Sequence, residues 1–427
     1  MTSAPPNAEI SPSGRIRGIQ RRILVVLSAA QIVGGVGVAV GLALSSVVVD
    51  DLSGSTVISG FAGTATVLGA ALLALPTAKA AGRSGRRAGL ALAYLAALLG
   101  CVISVAAISI GNWPLLLAGL VLVGGGSAGN LAARYSATDL SPPGHAARHL
   151  SLVVWAATFG SVAGPNLAEP ADRIGMESLG LVEKAGPFAF AALAFAVALV
   201  IILAGLRPDP LRLARELDGT QPTGRGGKRT VRTAWRTLRT TPMARNALVM
   251  IAVSHTAMVS IMSMTPVKLH HDGSSLDVIG IVISLHIAGM YMMSPVVGWL
   301  ADKAGRVPVL MLGMGLLLAS AALAGTAGHR VWQVTLALFL LGLGWSCGLV
   351  AGSALVSESV ALEARPAVQG LSDLLMNVCG ATGTIIAGAI VGGLSYGVLG
   401  LVVGVMVTAA GLWLVVVRRR AADAAPA

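Results

Sequence analysis

A chain of 427 residues that is 55% hydrophobic and only 11% charged has too few ionisable groups to coat a soluble domain, where about a quarter of residues are charged. Its formal charge of +12 would suit a nucleic-acid partner, but the thirty basic residues fall between apolar blocks instead of forming a patch. Those blocks are about 20 residues long, the length at which a helix spans about 30 Å of hydrocarbon.

Taken in chain order, residues 1–22 are polar, with Pro5, Pro6, Arg15 and Arg17, and read as a cytoplasmic tail without a cleavable signal. Apolar blocks follow at 23–49, 55–78, 88–109, 113–137, 148–169 and 186–206. Residues 207–245 then break the pattern and hold ten of the thirty basic residues. They read as a linker, with a short amphipathic helix around Val231–Leu238 lying on the membrane surface. Six more blocks lie at 246–267, 277–299, 308–328, 332–356, 368–393 and 396–417, before a tail at 418–427.

The predicted fold is an all-α membrane protein with twelve transmembrane helices in two pseudo-symmetric six-helix bundles, 23–206 and 246–417. With the N-terminus inside, 26 of the 30 basic residues face the cytoplasm, two of them in the connection between blocks four and five. Both termini and the linker are therefore expected in the cytoplasm, in a plasma-membrane protein. The positive charge is expected to meet anionic lipid headgroups, not nucleic acid, and the chain is expected to act as a monomer. Cys101, Cys347 and Cys379 fall inside apolar blocks and read as packing thiols.

The halves repeat each other. Gly82-Arg83-Ser84-Gly85-Arg86 and Asp302-Lys303-Ala304-Gly305-Arg306 lie 220 residues apart, as do Gly160 and Gly380. The stretch Gly298-Trp299-Leu300-Ala301-Asp302-Lys303-Ala304-Gly305-Arg306 resembles the loop signature of the major facilitator superfamily. That resemblance implies a secondary transporter working by alternating access, with a substrate site between the halves. Asp302, with Gly298 and Arg306, is expected to latch one conformation by pairing with basic groups and a helix end. The first-half copy has Gly82 where the carboxylate would be. Gly160, Gly164 and Pro165 resemble a GxxxGP element of the superfamily's antiporters, and also suit close helix packing with a kink. The Arg that the antiporter pattern places at the start of helix four is missing, the position being Leu120.

Blocks seven and eight carry His255, Met258 and Met262 followed by Thr265-Pro266, then His286 and Met290 followed by Ser294-Pro295. They resemble the superfamily branch containing bacterial copper importers, which also has relatives that move riboflavin-like molecules. Where that branch often has Asn after the Gly-Trp of helix ten, this chain has Ser346. Residues four apart share a helix face, so His255, Met258 and Met262 form one stripe and His286, Met290 and Met293 a second. Thioethers and imidazoles together would make a soft site for Cu(I). Alternatively Met fills packing gaps, and the same residues would line an organic-solute site. Seven of the fourteen methionines lie within 44 residues here, whereas the first half offers Gln31, Gly34, Val38, Thr66 and Ala70. The candidate substrate residues are His255, Met258, Met262, His286, Met290, Met293 and Gln31, all but Met293 and Gln31 doubling as metal ligands. His270 and His271 sit at the outer end of block seven, and Glu169 near the outer end of block five. Asp373 is the clearest intramembrane carboxylate, a coupling group or a partner of Arg365. HExxH and phosphate-loop motifs are absent, so neither an enzyme nor a cofactor is expected.

Overall fold

A computed structural model describes residues 12–219 and 230–423. Twelve helical spans follow in order. The first half holds α1 (Pro12–Ala43), α2 (Phe61–Ser84), α3 (Arg86–Ser109), α4 (Trp113–Ser136), α5 (Ala146–Leu179) and α6 (Gly186–Gly205). The second holds α7 (Pro242–His271), α8, α9 (Arg306–Thr326), α10 (Val331–Ser359), α11 (Arg365–Gly393) and α12 (Tyr396–Asp423). The span α8 comes in three pieces, Leu276–Ile287, a π-helical turn Ala288–Met292 and Ser294–Ala304. Eleven helices of the described residues are apolar and long enough to cross a membrane, and α5 is a further one bent by 55° between Gly164 and Asn166. The side chain of Pro165, at that bend, lies outside the described set.

Local chemistry sets the ends. Asn112 caps α4 by accepting the Leu115 N–H, with Pro114 in the first turn where no N–H is needed. The tight turns between α2 and α3 and between α8 and α9 place Gly85 and Gly305 at φ +90° and +97°. Only glycine adopts that backbone without strain, so the 220-residue repeat seen in the sequence is a repeat of turn geometry. Large apolar side chains such as Leu193, Val200, Ile281, Ile385 and Leu401 are exposed around the outside, as a bilayer in place of water requires.

Some boundaries differ from the sequence reading. The helix α1 begins at Pro12, inside the expected tail, because Gln20 is buried and its amide donates to the Ala137 carbonyl at 2.7 Å. Among the described residues, the linker carries two helices, Pro210–Leu217 and Thr230–Thr240. The second buries Ala234 and Leu238 on one side and exposes Val231 and Trp235 on the other. Residues 1–11, 220–229 and 424–427 of the expected tails and linker lie outside the described set.

The halves meet chiefly where α2 packs on α11 and α5 packs on α8. Ala147, Leu150 and Val154 of α5 belong to the same buried cluster as the second half's core. Gly298 permits the α5–α8 approach, since a Cβ there would meet the Ala147 carbonyl oxygen at 2.7 Å. Gly160 and Gly164 instead bring α5 onto Gly35 and Ala39 of α1, within one half.

Candidate functional site

A cavity of about 250 Å³ lies between the halves. Gln31 of α1, Asn130 and Arg134 of α4, Ser161 of α5, His255 and Met258 of α7, Met290 and Tyr291 of α8, Trp345 of α10 and Met376 and Asn377 of α11 line it. Of the predicted substrate residues it gathers Gln31, His255, Met258 and Met290; Met262, Met293 and His286 are not in its lining. Met262 packs against the core of the second half.

The stripe read over α8 fails for a local reason. The π-helical turn at Ala288–Met292 falls between His286 and Met293, and a π-turn inserts a residue into the α-helical register. Met290 therefore reaches the cavity, whereas the His286 ring is buried and its Nδ1 donates to the Leu338 carbonyl at 2.8 Å. His255 is also engaged. Its Nδ1 accepts the Trp345 indole N–H at 3.1 Å, and indole is a donor only. The ring proton of neutral His255 therefore sits on Nε2, which packs beside Gly380. His270 and His271 are exposed at the end of α7, and Glu169 is exposed on α5.

Below the cavity, towards the face that carries the linker, a polar layer joins the halves. Arg134 is 1% exposed, and its Nη2 donates to Asp373 Oδ1 of the other half at 2.7 Å. Its Nε donates to Ser353 at 3.2 Å, and its plane stacks 4.6 Å from the centre of the Tyr135 ring. Nη1 has no partner among the described residues. Tyr135 donates to Ser372 at 3.2 Å. One layer further, Arg86 grips Asp139 with two bonds of 2.7 and 3.0 Å and donates across to Gln369 at 2.7 Å. Two parallel bonds fix both angle and distance.

The expected pairing of Asp373 with Arg365 is thus corrected. Eight residues of helix separate the two by about 12 Å of rise, and Arg365 instead donates to the Val360 carbonyl at 3.1 Å. Arg134 was missed because a basic residue near the end of a span looks like an anchor in a loop. The usable signal was its place on α4 among Gly and Ala, where an exposed arginine has no reason to be. Arg86 and Arg306 are likewise largely buried in ion pairs, so they are not available to headgroups.

Asp302 lies at the same face, its side chain 3% exposed. It accepts the backbone N–H groups of Ala147 and Arg148, at 3.2 and 2.9 Å, at the start of α5. Arg306 pairs with it at 2.7 Å and holds Glu358 at 3.0 and 2.6 Å. A carboxylate from the second half therefore seals the positive end of a helix in the first. At the first-half copy, a Cβ added to Gly82 would come within 3.7 Å of Pro366 at the start of α11, and the position carries no charge at all. There Arg215 donates to the Gly82 carbonyl, and Asp209 accepts the Arg87 N–H at 2.8 Å.

Comparisons with known proteins match this geometry. The family described as Major Facilitator Superfamily matches residues 26–276 and 247–427. An uncharacterized MFS-type transporter of Bacillus subtilis, YdeG, is 36% identical over 398 residues, covering 93% of this chain and 92% of that protein. A riboflavin transporter of Brucella anthropi, RfnT, is 25% identical over 370 residues, covering 87% and 89%. Among solved structures, the human organic anion transporter MFSD10 superposes with a TM-score of 0.76 at 17% identity, covering 92% of this chain and 99% of that one. The proton:xylose symporter XylE gives 0.72 at 16%, covering 93% and 95%. With its paired six-helix halves and central cavity, this chain belongs to the major facilitator superfamily, as a multi-pass membrane transporter and not an enzyme.

Proposed function

We propose that the chain moves a small organic solute across the plasma membrane by alternating access, with the central cavity as its binding site and the linker face in the cytoplasm. The observation that carries this reading is the lining of that cavity. Amide and hydroxyl groups of Gln31, Asn130, Ser161 and Asn377 stand among Met258, Met290, Met376, Tyr291 and Trp345. Apolar and aromatic walls with a few polar groups suit an organic molecule, and the relative named for riboflavin carries one. The Cu(I) alternative needs imidazole lone pairs beside the thioethers. In His255 one nitrogen accepts from Trp345 and the other carries the proton, and His286 lies outside the cavity.

The test replaces two of the three cavity methionines by Met258→Leu and Met290→Leu, which nearly conserve volume and cost less than about 1.5 kcal/mol each. Cells producing each variant at equal levels are assayed for copper content and for accumulation of labelled riboflavin and a panel of labelled organic solutes. An organic solute that depends on the chain and changes only modestly in affinity in the double variant supports the proposal. Copper accumulation that disappears in that variant, with no organic solute moved, overturns it.

A further inference from the structure

Resting on the proposed organic-solute site, we infer that the solute carries a carboxylate or comparable anionic group which takes over Arg134 from Asp373, and that Asp373 accepts one proton as it does so.

Four observations support this. Arg134 lines the cavity, is 1% exposed, and keeps one guanidinium nitrogen without a partner among the described residues. A buried donor left unsatisfied is costly, so the site is short of one acceptor at its most positive point. Second, the pair Arg134–Asp373 separates two spaces. Arg134 faces the central cavity, whereas Asp373 lines a smaller one of about 20 Å³ among α2, α3, α4 and α11. That volume holds about one water.

Third, the small cavity is polar where a proton would need it. Thr77 lines it with a buried hydroxyl that has no partner among the described residues, and Arg86 and Gln369 line its far side. The route runs from Asp373 past Thr77 to the Arg86–Asp139 pair, towards the linker face. Fourth, the local charges balance only one way. Around Asp373 stand Arg134 from α4 and Arg86 from α3, the latter already neutralised by Asp139. His255 of α7 is held neutral by Trp345, Tyr135 and Tyr291 are uncharged, α2 offers Thr77, and Glu358 of α10 belongs to Arg306.

The site's own residues therefore supply one cation and one anion. An incoming carboxylate alone would leave a net negative charge in a dry, buried place, which is expensive. If Asp373 takes a proton as the guanidinium turns to the solute, the site holds Arg⁺, solute⁻ and a neutral acid, again with no net charge. Anion and proton then travel together, one for one, with no covalent step.

The experiment uses the purified full-length protein and three matched probe pairs: benzoate and benzamide, nicotinate and nicotinamide, and 2-naphthoate and 2-naphthamide. Binding is read from the thermal unfolding midpoint and from titration at several pH values. At least one carboxylate should stabilise the wild type while its amide does not. Its apparent affinity should fall about tenfold per pH unit wherever binding takes up a proton. Asp373→Asn, a stand-in for the protonated acid, should flatten that slope and bind the carboxylate at least as tightly. Arg134→Gln should lose about 10- to 100-fold in carboxylate affinity, the size expected for a charge-assisted bond. Gel-filtration profiles of the variants separate loss of binding from loss of fold. Amides that stabilise as well as their acids, no response to any acid, or an unchanged slope in Asp373→Asn would overturn the inference. If organic solutes are transported but acids are not preferred, this inference fails and the organic-solute reading survives. If no organic solute is transported, the organic-solute reading fails too.

Discussion

Replacing Asp302 by Asn tests how the halves hold together at the linker face. Only the contacts that cross between halves can bias the conformational equilibrium. The Arg306 bond joins neighbouring helices of the same half and should persist in any state. What crosses is the pair of backbone N–H bonds from Ala147 and Arg148. The Arg148 guanidinium, 43% exposed and 3.7 Å away, adds little. Hydrogen bonds to a charged group contribute about 1.5–3 kcal/mol and neutral ones about 0.5–1.5 kcal/mol. An Asn side chain has one accepting oxygen, so it keeps one bond of the weaker kind, at a loss of about 1 kcal/mol, and forfeits the other, worth about 2 kcal/mol, because its NH2 cannot accept; the pair loses about 3 kcal/mol. At about 1.4 kcal/mol per tenfold, the closed linker face should lose about 100-fold in population relative to the open one. Spin labels at the exposed positions Pro143 and Ala304 report the gap between the α5 and α8 ends. The distance distribution should gain a longer component in Asp302→Asn. A distribution identical to wild type, at normal membrane insertion, would refute the latch.

Other outcomes follow from the same contacts. Gly298→Ala adds a methyl group against the Ala147 carbonyl and Ser151, so overpacking of about 1–3 kcal/mol should lengthen the same spin-label distance. Asp139→Ala leaves the buried Arg86 charge with only Gln369, which should destabilise the fold by about 3–5 kcal/mol and lower the thermal unfolding midpoint; an unchanged midpoint would show the pair to be dispensable. For orientation, a cysteine at Trp235 should resist an impermeant thiol reagent in intact cells while one at His329 reacts, both sites being exposed and on opposite faces. The reverse pattern would invert the topology.

The sequence made the architecture legible because its cause is coarse. A span of about 20 apolar residues is a helix in any bilayer, and two glycines at positive φ repeat at Gly85 and Gly305. Asp302 was legible for a similar reason, since a carboxylate in a tight inter-helix loop can reach a neighbouring helix end. The cavity was only half legible. Gln31, His255, Met258 and Met290 do face it, but the α-helical period fails across the π-turn at Ala288–Met292, which turns His286 away. Met376 and Asn377 carried no motif, and their facing depends on how α11 meets the other half. Arg134 and Asp373 lie 239 positions apart in the chain. No local pattern can show such a pair, only the packing of two bundles.

The most direct test presents a mixture of cellular small molecules, together with copper, to liposomes containing the purified protein. Mass spectrometry then identifies what has entered, with Arg134→Gln liposomes as the comparison. The account predicts at least one organic acid inside wild-type liposomes under an imposed proton gradient, and none inside those with Arg134→Gln. Entry of copper without any organic solute, or organic entry that is the same in both, would contradict it.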